Sequence, residues 1–102
     1  MAPLDDTAAR GLGWKAGPSD LIWRSWDRDE FVVYHVASGD THLINEVTAR
    51  VLETLQASPL SFEELTRRVA HALQVEVDES FEASLAKLLV YLDEIGLAGA
   101  VR

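Results

Sequence analysis

The sequence lacks cysteine, so it can form neither disulfide bonds nor thiolate metal sites. It also lacks long apolar runs: the longest have four or five residues, whereas a membrane-spanning helix needs about 20. The first ten residues, MAPLDDTAAR, carry two aspartates where a secretion signal would carry lysines and an apolar run. These absences predict a chain with no membrane segment and no signal peptide, for which the cytoplasm is the default location.

Basic residues are scarce. The chain has nine lysines and arginines against seventeen acidic residues, a net charge of −8. Binding to a phosphate backbone requires clustered cations that displace counterions, but here the densest group is the pair Arg67 and Arg68. The charge pattern predicts no binding to nucleic acid and none to anionic membranes.

Catalytic motifs are also missing. No serine lies in a G-x-S-x-G elbow, and Gly11-Leu12-Gly13 lacks the spacing and the preceding strand of a nucleotide-binding loop. Three acidic pairs fall at predicted helix ends or exposed faces: Glu63-Glu64, Asp78-Glu79 and Asp93-Glu94. The first two lie at helix N-termini, where the helix dipole stabilises negative charge, whereas the third lies near a C-terminus. We therefore expect no enzymatic activity and no cofactor.

His35 and His42 are candidate metal ligands on two neighbouring predicted strands. His35 and His42 would lie roughly opposite each other if the turn at residues 37–40 pairs its strands symmetrically. A metal site normally needs a third or fourth protein ligand, and Asp40 is better explained as a turn residue. Two ordinary strand histidines are the favoured interpretation, so no metal is expected.

The 102 residues, of which 48% are hydrophobic, are enough for one compact domain. Residues 1–19 contain three glycines and two prolines among few apolar anchors, which predicts a flexible N-terminal lead-in. Trp14 is the exception, since it can dock on the body. Residues 20–102 are expected to form the domain.

The first part of that domain has a β pattern. Residues 21–26 (LIWRSW), 31–36 (FVVYHV) and 41–44 (THLI) are rich in aromatic and β-branched side chains. Polar residues 27–29 and the ASGD sequence at 37–40 supply the turns between them. Three strands joined by tight turns predict an antiparallel β-meander.

Helical periodicity follows. Asn45, Ser61 and Asp78 are suited to cap three helices, Ser61 in a capping box with Glu64, and Gly96 to end the last. The third predicted helix carries its apolar stripe on six residues: Phe81, Leu85, Leu88, Leu89, Leu92 and Ile95. The fold class is thus α+β, a three-stranded meander followed by three helices.

Two short helices followed by a longer one also match a winged helix-turn-helix, in which the last helix would read DNA. Its exposed positions here carry four acidic residues, Glu79, Glu82, Asp93 and Glu94, against Lys87 alone. A winged-helix transcriptional regulator, or a structural subunit of an enzyme complex, is therefore the second hypothesis. Salt-dependent shifting of duplex DNA would identify the regulator.

The strand at Thr41–Ile44 is predicted to lie at a sheet edge, because a helix follows it at once. Such an edge offers unpaired backbone groups to an extended peptide, although it can also be short merely to limit aggregation. Either interpretation fits. Ala83, Ala86 and Val90 form a weakly apolar second face on the third helix, which suits a groove wall or an unremarkable surface.

Residues 20–97 resemble a known family. The segments that carry the resemblance are WRSW (23–26), FVVYH (31–35), SGDTHLIN (38–45), LSFEEL (60–65) and LDEIGL (92–97). They look like the PqqD-like family, whose members are recognition elements for ribosomally made, modified peptides. The subgroup they resemble most is the HPr-rel-A system peptide chaperone.

The resemblance implies a winged-helix-like domain that holds a precursor's leader peptide as an added strand and presents it to a modifying enzyme. The peptide would pair with Thr41, His42, Leu43 and Ile44 and pack against Leu85, Leu88, Leu89 and Leu92. The subgroup name implies a partner related to HPr kinase, encoded nearby. An open edge would also permit a homodimer, which would occlude this site.

Overall fold

The computed structural model describes residues 4–17, 21–25 and 30–101. Over these residues the chain is a mixed α+β protein with four helices and two small antiparallel sheets. The helices are α1 (Asp6–Arg10), α2 (Glu46–Ala57), α3 (Phe62–Leu73) and α4 (Glu79–Ile95). The strands are β1 (Gly13–Ala16), β2 (Leu21–Ser25), β3 (Glu30–His35), β4 (Thr41–Asn45), β5 (Leu60–Ser61) and β6 (Ala98–Val101).

The first sheet has the order β2-β3-β4, with neighbouring strands antiparallel. Phe31 pairs with Ile44 and Val33 with His42. At the β3–β4 turn, Gly39 has a φ of 77°, and its N–H donates to the His35 carbonyl at 2.9 Å. The predicted strands are confirmed for the described residues. The predicted turn at 27–29 and Trp26 lie outside them.

The second sheet has the order β5-β1-β6 and was not expected from the sequence. The prediction of a flexible lead-in is wrong for the described part of residues 1–19, because α1 and β1 are built there. Trp14 of β1 is fully buried, and its indole N–H donates to the Ala9 carbonyl at 3.1 Å. Pairing with β6 and β5 on either side fixes this segment to the body.

The predicted helix caps are confirmed. The side chains of Asn45, Ser61 and Asp78 accept hydrogen bonds from the backbone three residues on, at 2.9, 3.2 and 2.8 Å. Gly96 ends α4 with a φ of 81°. The capping box is only half formed, because Glu64 binds Arg67 and Arg68 through its carboxylate.

The core lies between the helices and the inner faces of both sheets. Helix α2 packs on α3, and α1 packs on α4. The largest fully buried side chains are Trp14, Leu52, Leu55, Leu65, Leu85, Leu89, Leu92, Leu97, Val33, Val51 and Val69. No helix in the described residues is long and apolar enough to cross a bilayer.

Candidate functional site

Strand β4 lies at an edge of its sheet: it pairs with β3 on one side, and no other described strand pairs with it. The His35 N–H donates to the Asp40 carbonyl at 2.8 Å, which fixes the phase of the ladder. Backbone groups alternate along an antiparallel pair, so the N–H and C=O of His42 and Ile44 point to β3. Those of Thr41 and Leu43 point away from the sheet.

The side chains of β4 alternate between the two faces of the sheet. Ile44 is 9% exposed and belongs to the core, and His42 is half-buried on the same face. Leu43 is on the opposite face and is 70% exposed, the highest value among the large apolar side chains of the described residues. A large exposed apolar side chain therefore lies here beside an unpaired backbone edge.

A groove of about 480 Å³ separates β4 from α4. Helix α4 contributes Leu88, Tyr91 and Ile95, which are spaced three and four residues apart and so share one face. Tyr91 is 54% exposed. The remaining lining residues are Thr41, His42, Leu43, Ile44, Asn45 and Thr48. The groove is thus open along a strand edge and apolar along the helix.

The structure brings together five of the eight sequence-predicted contact residues: Thr41, His42, Leu43, Ile44 and Leu88. It does not bring the other three to the groove. Leu85, Leu89 and Leu92 are 1%, 0% and 0% exposed and belong to the core, so they are not accessible to a peptide. Their predicted placement against the peptide is therefore corrected: they lie on the side of α4 that faces the core, not on the side that faces the groove.

Tyr91, Ile95, Asn45 and Thr48 line the groove but were not predicted to do so. The sequence feature that could have identified the helical residues is their spacing of three and four positions (88, 91 and 95), which places them on one face of α4 next to the buried leucines. The face of Ala83, Ala86 and Val90, for which a groove wall and an unremarkable surface were both open, does not line this groove. Ala86 is fully buried, and Val90 packs against the core.

The two strand histidines are not opposite each other. His42 pairs with Val33, and His35 pairs across the sheet with Leu21. The His35 ring nitrogen Nδ1 lies 2.8 Å from the Ser38 hydroxyl. No cluster of three or more His, Asp or Glu side chains suited to a metal occurs in the described ranges.

Among the described residues, the groove lining contains no Asp, Glu, Lys or Arg. The ion pairs lie elsewhere. Arg10 contacts Glu79 at 2.8 Å and Glu82 at 3.8 Å, joining α1 to the start of α4. The hydrogen bond from Arg10 lowers the pKa of Glu79. An uncharged groove suits apolar side chains and backbone better than an ionic ligand.

Comparison of the chain with protein-family models, with curated proteins and with solved structures finds no match.

Proposed function

We propose that this protein is a non-catalytic adaptor that binds an extended segment of a precursor (leader) peptide as an additional strand on β4. The observation that carries the proposal is the conjunction of an unpaired strand edge with a groove walled by α4. The edge offers backbone hydrogen bonds that any sequence can use, and the groove offers side-chain selection.

The bound peptide would exchange backbone hydrogen bonds with Leu43 and Thr41, whose N–H and C=O groups point outward. Each such bond contributes about 0.5–1.5 kcal/mol net. Alternate peptide side chains would enter the groove against Leu88, Tyr91 and Ile95. Because few bonds are available on so short an edge, apolar burial in the groove has to supply much of the affinity and most of the specificity.

The adaptor role extends this binding to a second protein. Holding a flexible peptide raises its effective concentration near a modifying enzyme. By the family resemblance, the partner is a modifying enzyme or an HPr kinase-related protein that is encoded nearby. The resemblance to the PqqD-like family and the order β2-β3-β4-α2-β5-α3-α4, three strands followed by three helices with the two-residue β5 between the first two, support a winged-helix-like arrangement for this part of the chain. The uncharged groove supports a holding function rather than a catalytic one.

The direct test is an NMR titration with leader peptides from short open reading frames encoded nearby. Amide shifts should concentrate on 41–45 and on the α4 positions 88, 91 and 95. A scrambled peptide of the same composition should leave these signals in place. Shifts that miss both β4 and the groove face of α4 would disprove strand addition.

A paired substitution separates backbone from side-chain recognition. Leu43→Pro removes the outward N–H, whereas Leu43→Ala keeps it and removes only the exposed side chain. Because that N–H faces away from β3, both variants should fold, which circular dichroism checks. The proline variant should bind leader peptide at least tenfold more weakly than the alanine variant, as expected from losing about 1.4 kcal/mol. Equal binding by the two would mean that this edge is not the docking site.

A further inference from the structure

A second cavity, of about 290 Å³, lies on the β2 side of the β2-β3-β4 sheet, whereas the groove lies on the β4 side. Its walls are the end of β2, the start of β3 and the C-terminal half of α2. The lining residues are Trp23, Arg24, Ser25, Phe31, Glu53 and Gln56. The peptide-binding function proposed above does not use this cavity.

Two aromatic rings form one wall. Ser25 pairs with Phe31 and Trp23 with Val33, so Trp23 and Phe31 are diagonal neighbours on the core-facing side of the sheet. Both are only half-buried. Arg24 also lines the cavity, although strand alternation directs its side chain to the opposite face of the sheet. Among the described residues, the strand side chains on the cavity face are therefore Trp23, Phe31 and Ser25.

The helix wall is polar and acidic. Glu53 and Gln56 are three residues apart on α2 and face the same cavity. The Glu53 carboxylate accepts hydrogen bonds from Arg50 at 3.0 and 3.2 Å. This pair is solvent-exposed and hence weak, and a carboxylate has about four acceptor positions. Glu53 can therefore accept a second cation from the cavity side.

We propose that this cavity binds a lysine or arginine side chain of a partner polypeptide. The methylene stem would lie against Phe31 and Trp23, the charged head over an aromatic face, and Glu53 would pair with it. Charge complementarity favours this occupant: the chain carries a net charge of −8, and an acidic group stands at an aromatic cavity large enough for one long side chain. An anionic occupant would meet the Glu53 carboxylate, and the neighbouring Arg50 guanidinium is already bound to that carboxylate.

The experiment is an NMR titration with Nα-acetyl-lysine methylamide, followed on the indole N–H signals. The Trp23 signal should shift and saturate, while the Trp14 signal, from a fully buried indole, should not. The neutral isostere Nα-acetyl-norleucine methylamide should shift Trp23 much less. Equal shifts from both probes would show that the cavity takes apolar groups, and this would overturn the proposal.

A matched pair of variants tests the carboxylate. Glu53→Gln should weaken binding of the lysyl probe about threefold, the size of an exposed charge interaction. Glu63→Gln removes the same charge from an exposed position on α3 and should leave binding unchanged. If both variants weakened binding of the lysyl probe equally, the effect would come from the net charge of the protein, and this would contradict a binding site at Glu53. Tetramethylammonium binding as tightly as the lysyl probe would indicate a free small cation and contradict a partner side chain.

Discussion

The two sheets each have three strands among the described residues, and they differ in the exposure of the side chains that their strands carry. In the β5-β1-β6 sheet the central strand is paired on both sides and carries the fully buried Trp14. In the β2-β3-β4 sheet the last strand is paired on one side and presents Leu43 at 70% exposure. Each sheet has two edge strands, and the β4 edge is the one that borders the groove beside α4.

Helix α4 shows the same division within one element. Its buried leucines face the core, while Leu88, Tyr91 and Ile95 face the groove. Substitutions test this division. Changes on the core side of α4 should alter the free energy of unfolding, and changes on the groove side should alter peptide binding.

The largest effect is expected from Trp14→Ala. Removing a fully buried tryptophan should lower the free energy of unfolding by about 3–5 kcal/mol, and it also removes the indole hydrogen bond to Ala9. Urea denaturation followed by circular dichroism measures the loss. The control is Trp23→Ala, at a half-buried position of the other sheet. A loss no greater for Trp14 than for Trp23 would refute the assignment of β1 to the core.

That prediction concerns a segment that the sequence did not reveal. Strands β2, β3 and β4 were predictable because their pattern and turns are local, and the three capped helices likewise. Helix α1 has five residues and β1 four, too few for a periodic pattern. The partners of β1 are β5 and β6, more than forty residues away in the chain, so no neighbouring residue indicates the pairing.

The site was predictable in the same uneven way. The edge strand at 41–44 was predictable from the order of the strands in the sequence. The apolar periodicity of α4 predicts which residues are apolar on one side of the helix, but it does not show which of them face the core and which face the groove. The pair Leu89→Ala and Tyr91→Ala tests the assignment. Leu89→Ala should cost about 2–5 kcal/mol of stability. Tyr91→Ala should cost less than about 1 kcal/mol yet weaken peptide binding, as measured by denaturation and by titration. If Tyr91→Ala cost more stability than Leu89→Ala, the assignment of Leu89 to the core and of Tyr91 to the groove would be wrong.

Gly17 tests how closely the chain after β1 approaches the end of α4. Its N–H donates to the Leu97 carbonyl at 3.1 Å, and an added Cβ would lie 2.5 Å from the Gly96 carbonyl oxygen. Gly17→Ala should therefore destabilise the protein by about 1–3 kcal/mol, as overpacking does. At Gly99 a Cβ would meet only the Lys15 Cε at 3.8 Å, so Gly99→Ala should be nearly neutral in thermal unfolding. Equal melting temperatures for both variants would contradict this contact.

The smallest effect concerns the ion pair between α1 and α4. Arg10 holds the pKa of Glu79 below its ordinary value through their hydrogen bond. A carboxylate with a lowered folded-state pKa stabilises above its unfolded pKa, and the gain is lost as the pH falls through the folded pKa. Wild type should thus exceed Glu79→Gln slightly in stability at neutral pH, and the difference should vanish in acid. A difference between the two proteins that persists unchanged in acid would contradict a contribution from this ion pair.

The central claim, that a peptide joins the sheet at β4, is tested most directly by amide hydrogen exchange at Leu43. In the free protein its outward N–H should exchange quickly, whereas those of His42 and Ile44, which point to β3, should be protected. Saturating leader peptide should slow exchange at Leu43 by at least tenfold and leave His42 and Ile44 protected as before. Unchanged, fast exchange at Leu43 in the saturated complex would contradict strand addition.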